Sequence, residues 1–161
     1  MGSFTAAMLL AGPACTHSDG WSEPGPRPQV TRVVGPSINE GKTRDTVQCS
    51  PSVSGGACPM TVTVYFTLPE DQFVSKAYVR FQGDGSDEGV DREYIVEPRY
   101  GGGRSEVAVP VNVIVPPGLI RVGALNRYSI RLVTGAGEMS ERSTLPLSIE
   151  KSPEEKATPA E

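Results

Sequence analysis

The stretch from Met60 to Leu68, MTVTVYFTL, decides the fold of this chain. Its apolar and polar residues alternate without a break, and most of them are β-branched or aromatic, which is typical of a half-buried β-strand. A strand with one apolar face is stable only when other apolar faces cover it, so the rest of the chain should supply a second sheet. The apolar face of this strand consists of Met60, Val62, Val64, Phe66 and Leu68.

Length and composition favour one all-β domain. The chain has 161 residues, of which 37% are hydrophobic, with 18 Gly and 15 Pro. That composition suits many short strands and turns better than long helices. The net charge of −4 and the absence of a basic run argue against nucleic acid as a partner. No apolar run reaches the roughly 18 residues that a membrane-spanning helix needs.

Alternating patterns outside the central stretch predict the remaining strands. A first strand is expected at residues 30–34, a second half-buried strand at 75–82, a brief strand at 93–97 and another at 106–115. Pro110 and, in the last strand, Pro146 fall on outward faces. Because proline cannot donate a ladder hydrogen bond, we expect both of these strands to lie on sheet edges.

The N-terminal segment has the pattern of an export signal. Residues 4–12 form an apolar run of the length found in the central region of such signals. The sequence LLAGPAC that ends it resembles the lipobox of bacterial lipoproteins. The resemblance implies cleavage of residues 1–14 and lipidation of Cys15, which would tether the protein to a membrane. Residues 16–28, rich in Pro, Gly and Ser, would form a flexible linker. The alternative is a frayed tail with an ordinary thiol.

The two other cysteines flank a turn-rich loop. Cys49 and Cys58 are separated by SPSVSGGA, which could bring the two thiols together. We predict a disulfide between them, which persists only in an oxidising compartment and therefore agrees with export. Free thiols and a metal site are the alternatives. Zinc would need further ligands, and the sole histidine, His17, lies far away in the linker.

The last third of the chain carries a family resemblance. The sequence LNRYSIRL at residues 125–132, followed by a Gly-containing loop, is similar to the closing hairpin of a fibronectin type III or related immunoglobulin-like domain. The resemblance implies that Tyr128 is a structural tyrosine corner and that Ile130 and Leu132 point inward. It also implies a single immunoglobulin-like antiparallel β-sandwich over residues 29–150. A jelly roll or another Greek-key sandwich is the alternative.

The sequence has no catalytic constellation. With His17 in the linker, the folded domain lacks a Ser-His or Cys-His pair, and we predict neither enzyme activity nor a cofactor. The acidic turn GDGSDEGVDRE reads as a solvated turn. Its alternative is a calcium site formed by Asp84, Asp87 and Asp91, although the spacing does not match an EF-hand loop.

Four side chains suggest a binding face. If the strand at 75–82 neighbours the penultimate strand, within residues 125–132, Lys76, Tyr78, Arg80 and Arg131 share one solvent-facing surface. Tyr and Arg are residues that protein interfaces favour, whereas ordinary strand exteriors also carry them.

These observations predict a non-catalytic lipoprotein of the cell envelope, with an outer-membrane anchor on the periplasmic or surface side. Its β-sandwich would act as a protein-binding or adhesion module, without indication of its oligomeric state. A structural subunit of an envelope assembly is the first alternative, and a carbohydrate-binding or calcium-binding module is the second. Residues 151–161 would form a charged, disordered tail.

Overall fold

The computed structural model describes residues 24–36, 45–49, 58–83, 85, 87–116 and 126–151. Over these residues the chain is all-β. The eight strands that they form are β1 (Gln29–Val34), β2 (Asp45–Cys49), β3 (Cys58–Thr67), β4 (Phe73–Gln82), β5 (Gly89–Tyr100), β6 (Val107–Val115), β7 (Asn126–Thr134) and β8 (Ser143–Lys151).

The strands form two sheets that pack face to face. One sheet has the order β1-β3-β6, and the other has the order β2-β8-β7-β4-β5. All neighbouring strands are antiparallel except β2 and β8, which are parallel. The predicted all-β sandwich is therefore confirmed, and so is the expected neighbourhood of β4 and β7.

The core lies between the sheets and is built from the alternating faces that the sequence predicts. Val62, Val64 and Phe66 of β3 are completely buried, as are Val79 and Phe81 of β4. Full burial of each of these side chains contributes about 1.5 to 3 kcal/mol relative to exposure. In β7, Tyr128, Ile130 and Leu132 also point into the core and are completely buried.

The first strand departs from simple alternation. The pairing register of β1 with β3 shifts between Val30 and Arg32, which marks an irregularity of the bulge type. A bulge inserts one residue and reverses the sides to which later side chains point. As a result Val30 and Val33 pack against the core, whereas Val34 is 44% exposed.

Three strand predictions differ from the structure. The strand β2 was not predicted, because five residues next to a turn-rich loop give too short a pattern. The strand around residues 93–97 belongs to β5, which has 12 residues. The expectation that Pro146 marks an edge was wrong, since β8 has β2 on its other side. Pairing with β2 begins at Leu147, one residue after the proline, so β2 demands no ladder hydrogen bond of Pro146, which lies opposite Arg127 of β7.

The edge prediction for Pro110 is confirmed. Strand β6 is an outer strand of its sheet, and Pro110 lies opposite Thr63 of β3. Tyr94 of β5 reaches across to the same edge: its hydroxyl donates to the Ile114 carbonyl at 3.0 Å and accepts from the Ile114 amide at 3.2 Å. A further strand would need the backbone N–H and C=O groups of this edge. Pro110 has no N–H to offer, and the Tyr94 hydroxyl already bonds to both groups of Ile114.

Candidate binding face

The outer face is defined here as the solvent-facing side of β5, β4 and β7. Lys76, Tyr78 and Arg80 alternate along β4 with three buried core residues and therefore project onto it. Tyr78 lies opposite Arg131 in the β4–β7 register. The structure therefore brings the four predicted face residues together on one side of one sheet.

The β5 strand adds carboxylates that the sequence did not place on this face. Glu93 lies opposite Tyr78, and Asp91 lies opposite Arg80. Lys76 Nζ is 3.1 Å from one oxygen of Glu93, and Tyr78 donates a hydrogen bond of 2.6 Å to the other. Arg80 pairs with Asp91 at 3.0 Å. These pairs neutralise much of the positive charge that the sequence predicts for the face.

The shared carboxylate of Glu93 couples the three groups around it. The hydrogen bond from Tyr78, followed by that from Lys76, lowers the pKa of Glu93 below its ordinary value. The hydrogen bond to Glu93 in turn raises the pKa of Tyr78 and of Lys76. At neutral pH the arrangement is therefore a carboxylate held between an ammonium group and a neutral phenol. Glu93 thereby holds the side chains of Lys76 and Tyr78 together on the outer face.

The acidic turn between β4 and β5 is also internally paired. The carboxylate of Asp87 lies 3.7 Å from Arg127, and the main-chain carbonyl of Asp87 accepts a hydrogen bond from the side chain of Gln82. Asp91 is engaged by Arg80, as described above. Asp84 lies outside the described residues. Within the described part of the chain no three His, Cys, Asp or Glu side chains form a group that could hold a metal ion, and the calcium site stays a prediction.

Exposed apolar side chains extend the outer face along β5. Ile95 is 85% exposed and lies opposite Lys76, and Tyr100 is 60% exposed and lies opposite Phe73. Tyr78, at 37% exposure, lies one outward position further along β4 from Lys76 and donates to Glu93. The sequence did not indicate Tyr100, because the strand predicted at residues 93–97 ends before it; Ile95 lies within that predicted strand but was not assigned to the binding face.

The loops at the β5–Tyr100 end of the sandwich are tied together by backbone hydrogen bonds. Gly101 N donates to Gln72 O, Gly103 N donates to Leu68 O, and Gly135 N donates to Phe73 O, each at 2.9 Å. The ring of Phe73 packs against Tyr100 with 5.4 Å between centroids. The exposed ring of Tyr100 therefore projects from a fixed backbone.

The solvent-facing side of the other sheet is occupied by its own contacts. The guanidinium of Arg32 stacks over Tyr65 at 3.7 Å from the ring centroid and pairs with Glu106 at 3.1 Å. Thr31 donates a hydrogen bond to the same carboxylate, and this bond is the main cause of the lowered pKa of Glu106. Arg32, Tyr65 and Glu106 satisfy one another, so this side offers fewer groups to a partner.

The remaining predicted residues fall into two groups. Tyr128 lies in β7 and is completely buried. Cys15 and the side chain of Cys49 lie outside the described residues, as do residues 152–161 and most of the predicted linker. Of that linker, residues 24–28 are described; the Gly25 amide donates to Glu138 at 3.1 Å, and Arg27 lies 3.7 Å from the same carboxylate. No helix in the described part of the chain is long and apolar enough to cross a membrane.

The chain was compared with protein-family models and with curated proteins. No protein-family model matches the chain, and no curated protein matches it significantly.

Proposed function

We propose that this chain is a non-catalytic protein-binding module of the bacterial cell envelope, and that it binds through the outer face. The observation that carries the proposal is the grouping of Tyr78, Ile95 and Tyr100 on β4 and β5, at an edge of the larger sheet. Protein interfaces combine an apolar and aromatic centre with a polar rim. On this face the charged pairs formed by Lys76 and Arg80 lie beside the exposed apolar and aromatic side chains and supply the polar part.

The edge position of β5 supports the same function. Among the described strands β5 forms ladder hydrogen bonds only with β4, and part of its other side lies near β6, where Tyr94 bonds to Ile114. An exposed edge can add a strand from another chain, with side-chain pockets supplying specificity. Ile95 is the residue of this strand most available to such a partner, because 85% of its surface is exposed.

The envelope address rests on the N-terminal sequence and on the cysteines. Lipidation of Cys15 would anchor the domain at a membrane, and a bridge between Cys49 and Cys58 would form after export. One observation supports the bridge: Cys49 ends β2, Cys58 begins β3, and β2 contacts β3 across the core. Intact mass with and without reductant tests the lipid and the bridge together.

A photo-cross-linking experiment tests the binding face in the native host. A photoreactive phenylalanine analogue replaces Tyr100, and the same analogue replaces Ile114, which is 54% exposed on the other sheet and serves as the matched control. We expect a cross-linked protein from position 100 and none from position 114. Adding Ile95→Arg should abolish the product. Cross-linking of equal strength from both positions, or from neither, would refute the proposal.

The alternative function is a structural subunit of a larger envelope assembly. The edge position of β5 favours it, since strand addition is also a means of permanent assembly. The two functions differ in the state of the purified chain. A binding module is recovered as a stable free protein, whereas a structural subunit is recovered only within its complex, which native mass spectrometry distinguishes.

A further inference from the structure

The segment that precedes β1 joins the two sheets at the end of the sandwich where β1 begins. The Gly25 amide donates to Glu138 in the loop between β7 and β8 at 3.1 Å, and the guanidinium of Arg27 lies 3.7 Å from the same carboxylate. Arg27 also lines a cleft together with Arg131 and Met139. Because Arg131 belongs to the outer face, the segment arrives at the margin of that face.

A row of side chains begins beside this contact and runs across the outer face. Met139 pairs with Val133 of β7, which in turn lies opposite Lys76 of β4. Lys76 lies opposite Ile95 of β5. Met139 is 42% exposed and Ile95 is 85% exposed, whereas Val133 is buried. Neighbouring strands are about 4.8 Å apart, so the row spans about 14 Å from Met139 to Ile95.

The chain itself carries one large apolar side chain that can reach this row. Trp21 is the only tryptophan of the sequence and lies four residues before Gly25, outside the described residues. Four residues span at most about 14 Å. Gly25 is held by Glu138, the neighbour of Met139 in the sequence, so the chain is long enough to place Trp21 over the row. This connection also gives Trp21 a high effective concentration at the row, which a separate molecule lacks.

The row offers the contacts that an indole ring favours. The thioether of Met139 suits the edge of an aromatic ring. The ammonium group of Lys76 is held by Glu93 at 3.1 Å, and the methylene groups below it provide apolar surface at the centre of the row. Ile95 provides the largest exposed apolar fraction on the outer face. An indole lying here would bury apolar area on both sides of the contact while its N–H group stays in water.

We propose that Trp21 packs against Met139, Lys76 and Ile95, and that the N-terminal segment thereby covers part of the surface that binds the partner. The packing concerns this chain alone. The covering role rests on the proposed function, because Ile95 belongs to the proposed binding surface. A partner must then displace Trp21, and its apparent affinity falls in proportion to the fraction of molecules in which the face is uncovered.

Tryptophan fluorescence of the purified chain tests the packing, since the whole tryptophan signal arises from position 21. We expect acrylamide, an uncharged quencher, to quench Trp21 more slowly in the folded protein than in urea. Met139→Ser and Ile95→Ser each remove an apolar contact with the ring. Each should weaken the packing by about five-fold and make quenching faster.

A second set of variants tests the role of the segment's attachment. Glu138→Ala releases both Gly25 and Arg27, so quenching of Trp21 should also become faster. The matched controls are Glu141→Ala, in the same loop, and Ile114→Ser, at an exposed position of the other sheet. Both controls should leave quenching unchanged.

Four results would overturn the inference. Quenching in the folded protein as fast as in urea, or quenching unaffected by Met139→Ser and Glu138→Ala, would remove the packing. Equal changes in the two controls would show a general loosening of the domain instead of a contact. Faster quenching in Met139→Ser but not in Ile95→Ser would place Trp21 away from the partner's surface and remove the covering role.

The cross-linking experiment separates this inference from the proposed function. If position 100 gives a product, Trp21→Ala should increase its amount, and an unchanged amount would overturn the covering role. If the proposed function fails, the product is absent with and without Trp21, while quenching of Trp21 stays slow and stays sensitive to Met139→Ser.

Discussion

The contact of Tyr94 with the β6 edge gives a prediction that separates two similar tyrosines. In Tyr94→Phe the hydroxyl that both accepts from and donates to the Ile114 backbone is lost, while the packing of the ring against the core remains. Each of the two hydrogen bonds contributes about 0.5 to 1.5 kcal/mol. The site is half-exposed, so water replaces part of the loss, and we expect unfolding to become easier by about 1 to 2 kcal/mol.

Urea unfolding and amide hydrogen exchange check this prediction. The exchange of the Ile114 amide should accelerate, because the Tyr94 hydroxyl is its acceptor. The matched control is Tyr78→Phe, which removes a hydroxyl bonded to a solvent-exposed carboxylate. Its effect should be smaller, since Lys76 still pairs with Glu93. Equal losses in the two variants, or unchanged exchange at Ile114 in Tyr94→Phe, would refute the idea that Tyr94 secures the β6 edge.

Three further predictions concern the same fold. Burial raises the pKa of Tyr94. The stabilisation from the neutral Tyr94 hydroxyl is therefore complete below the ordinary tyrosine pKa and is lost as pH rises through the raised value. Urea unfolding at about pH 8 and pH 11 should show this loss in the wild type and less of it in Tyr94→Phe. Gly101→Ala would place a Cβ 2.0 Å from the Leu68 carbonyl oxygen, and we expect a loss of about 1 to 3 kcal/mol, measured by urea unfolding; stability equal to the wild type would contradict the close approach. Pro110→Thr should leave monomer stability nearly unchanged and increase aggregation, measured by light scattering, because it restores a backbone donor on an exposed edge.

The sequence predicted the parts of the fold that depend on strict alternation. The inward and outward sides of β3, β4 and β6 follow directly from their apolar positions, and Pro110 identified an edge because it lacks a donor. The same reasoning failed where the pattern was short or interrupted. The bulge in β1 reversed the sides of its later valines, and the five residues of β2 were too few to recognise.

The candidate site shows the same division. Sequence alone placed Lys76, Tyr78, Arg80 and Arg131 on one surface, because period-2 alternation and the neighbourhood of two strands suffice for that. It could not indicate which cations are already paired. That depends on the register of β5, which sets Glu93 and Asp91 beside the cations and leaves Arg131 two strands away.

By itself the sequence determined the class of fold, the core faces of the long strands and the residues that face solvent, since these follow from local periodicity and from the chemistry of single residues. The tertiary structure decided the charge balance of the outer face, the exposure of Ile95 and the burial of the Arg131 Nε, which has no hydrogen-bond partner among the described residues. These properties arise from the pairing of β4 with β5 and with β7. Alternation fixes the face on which a side chain lies, whereas its partner on the next strand depends on the register, which the turns and irregularities between the strands also set.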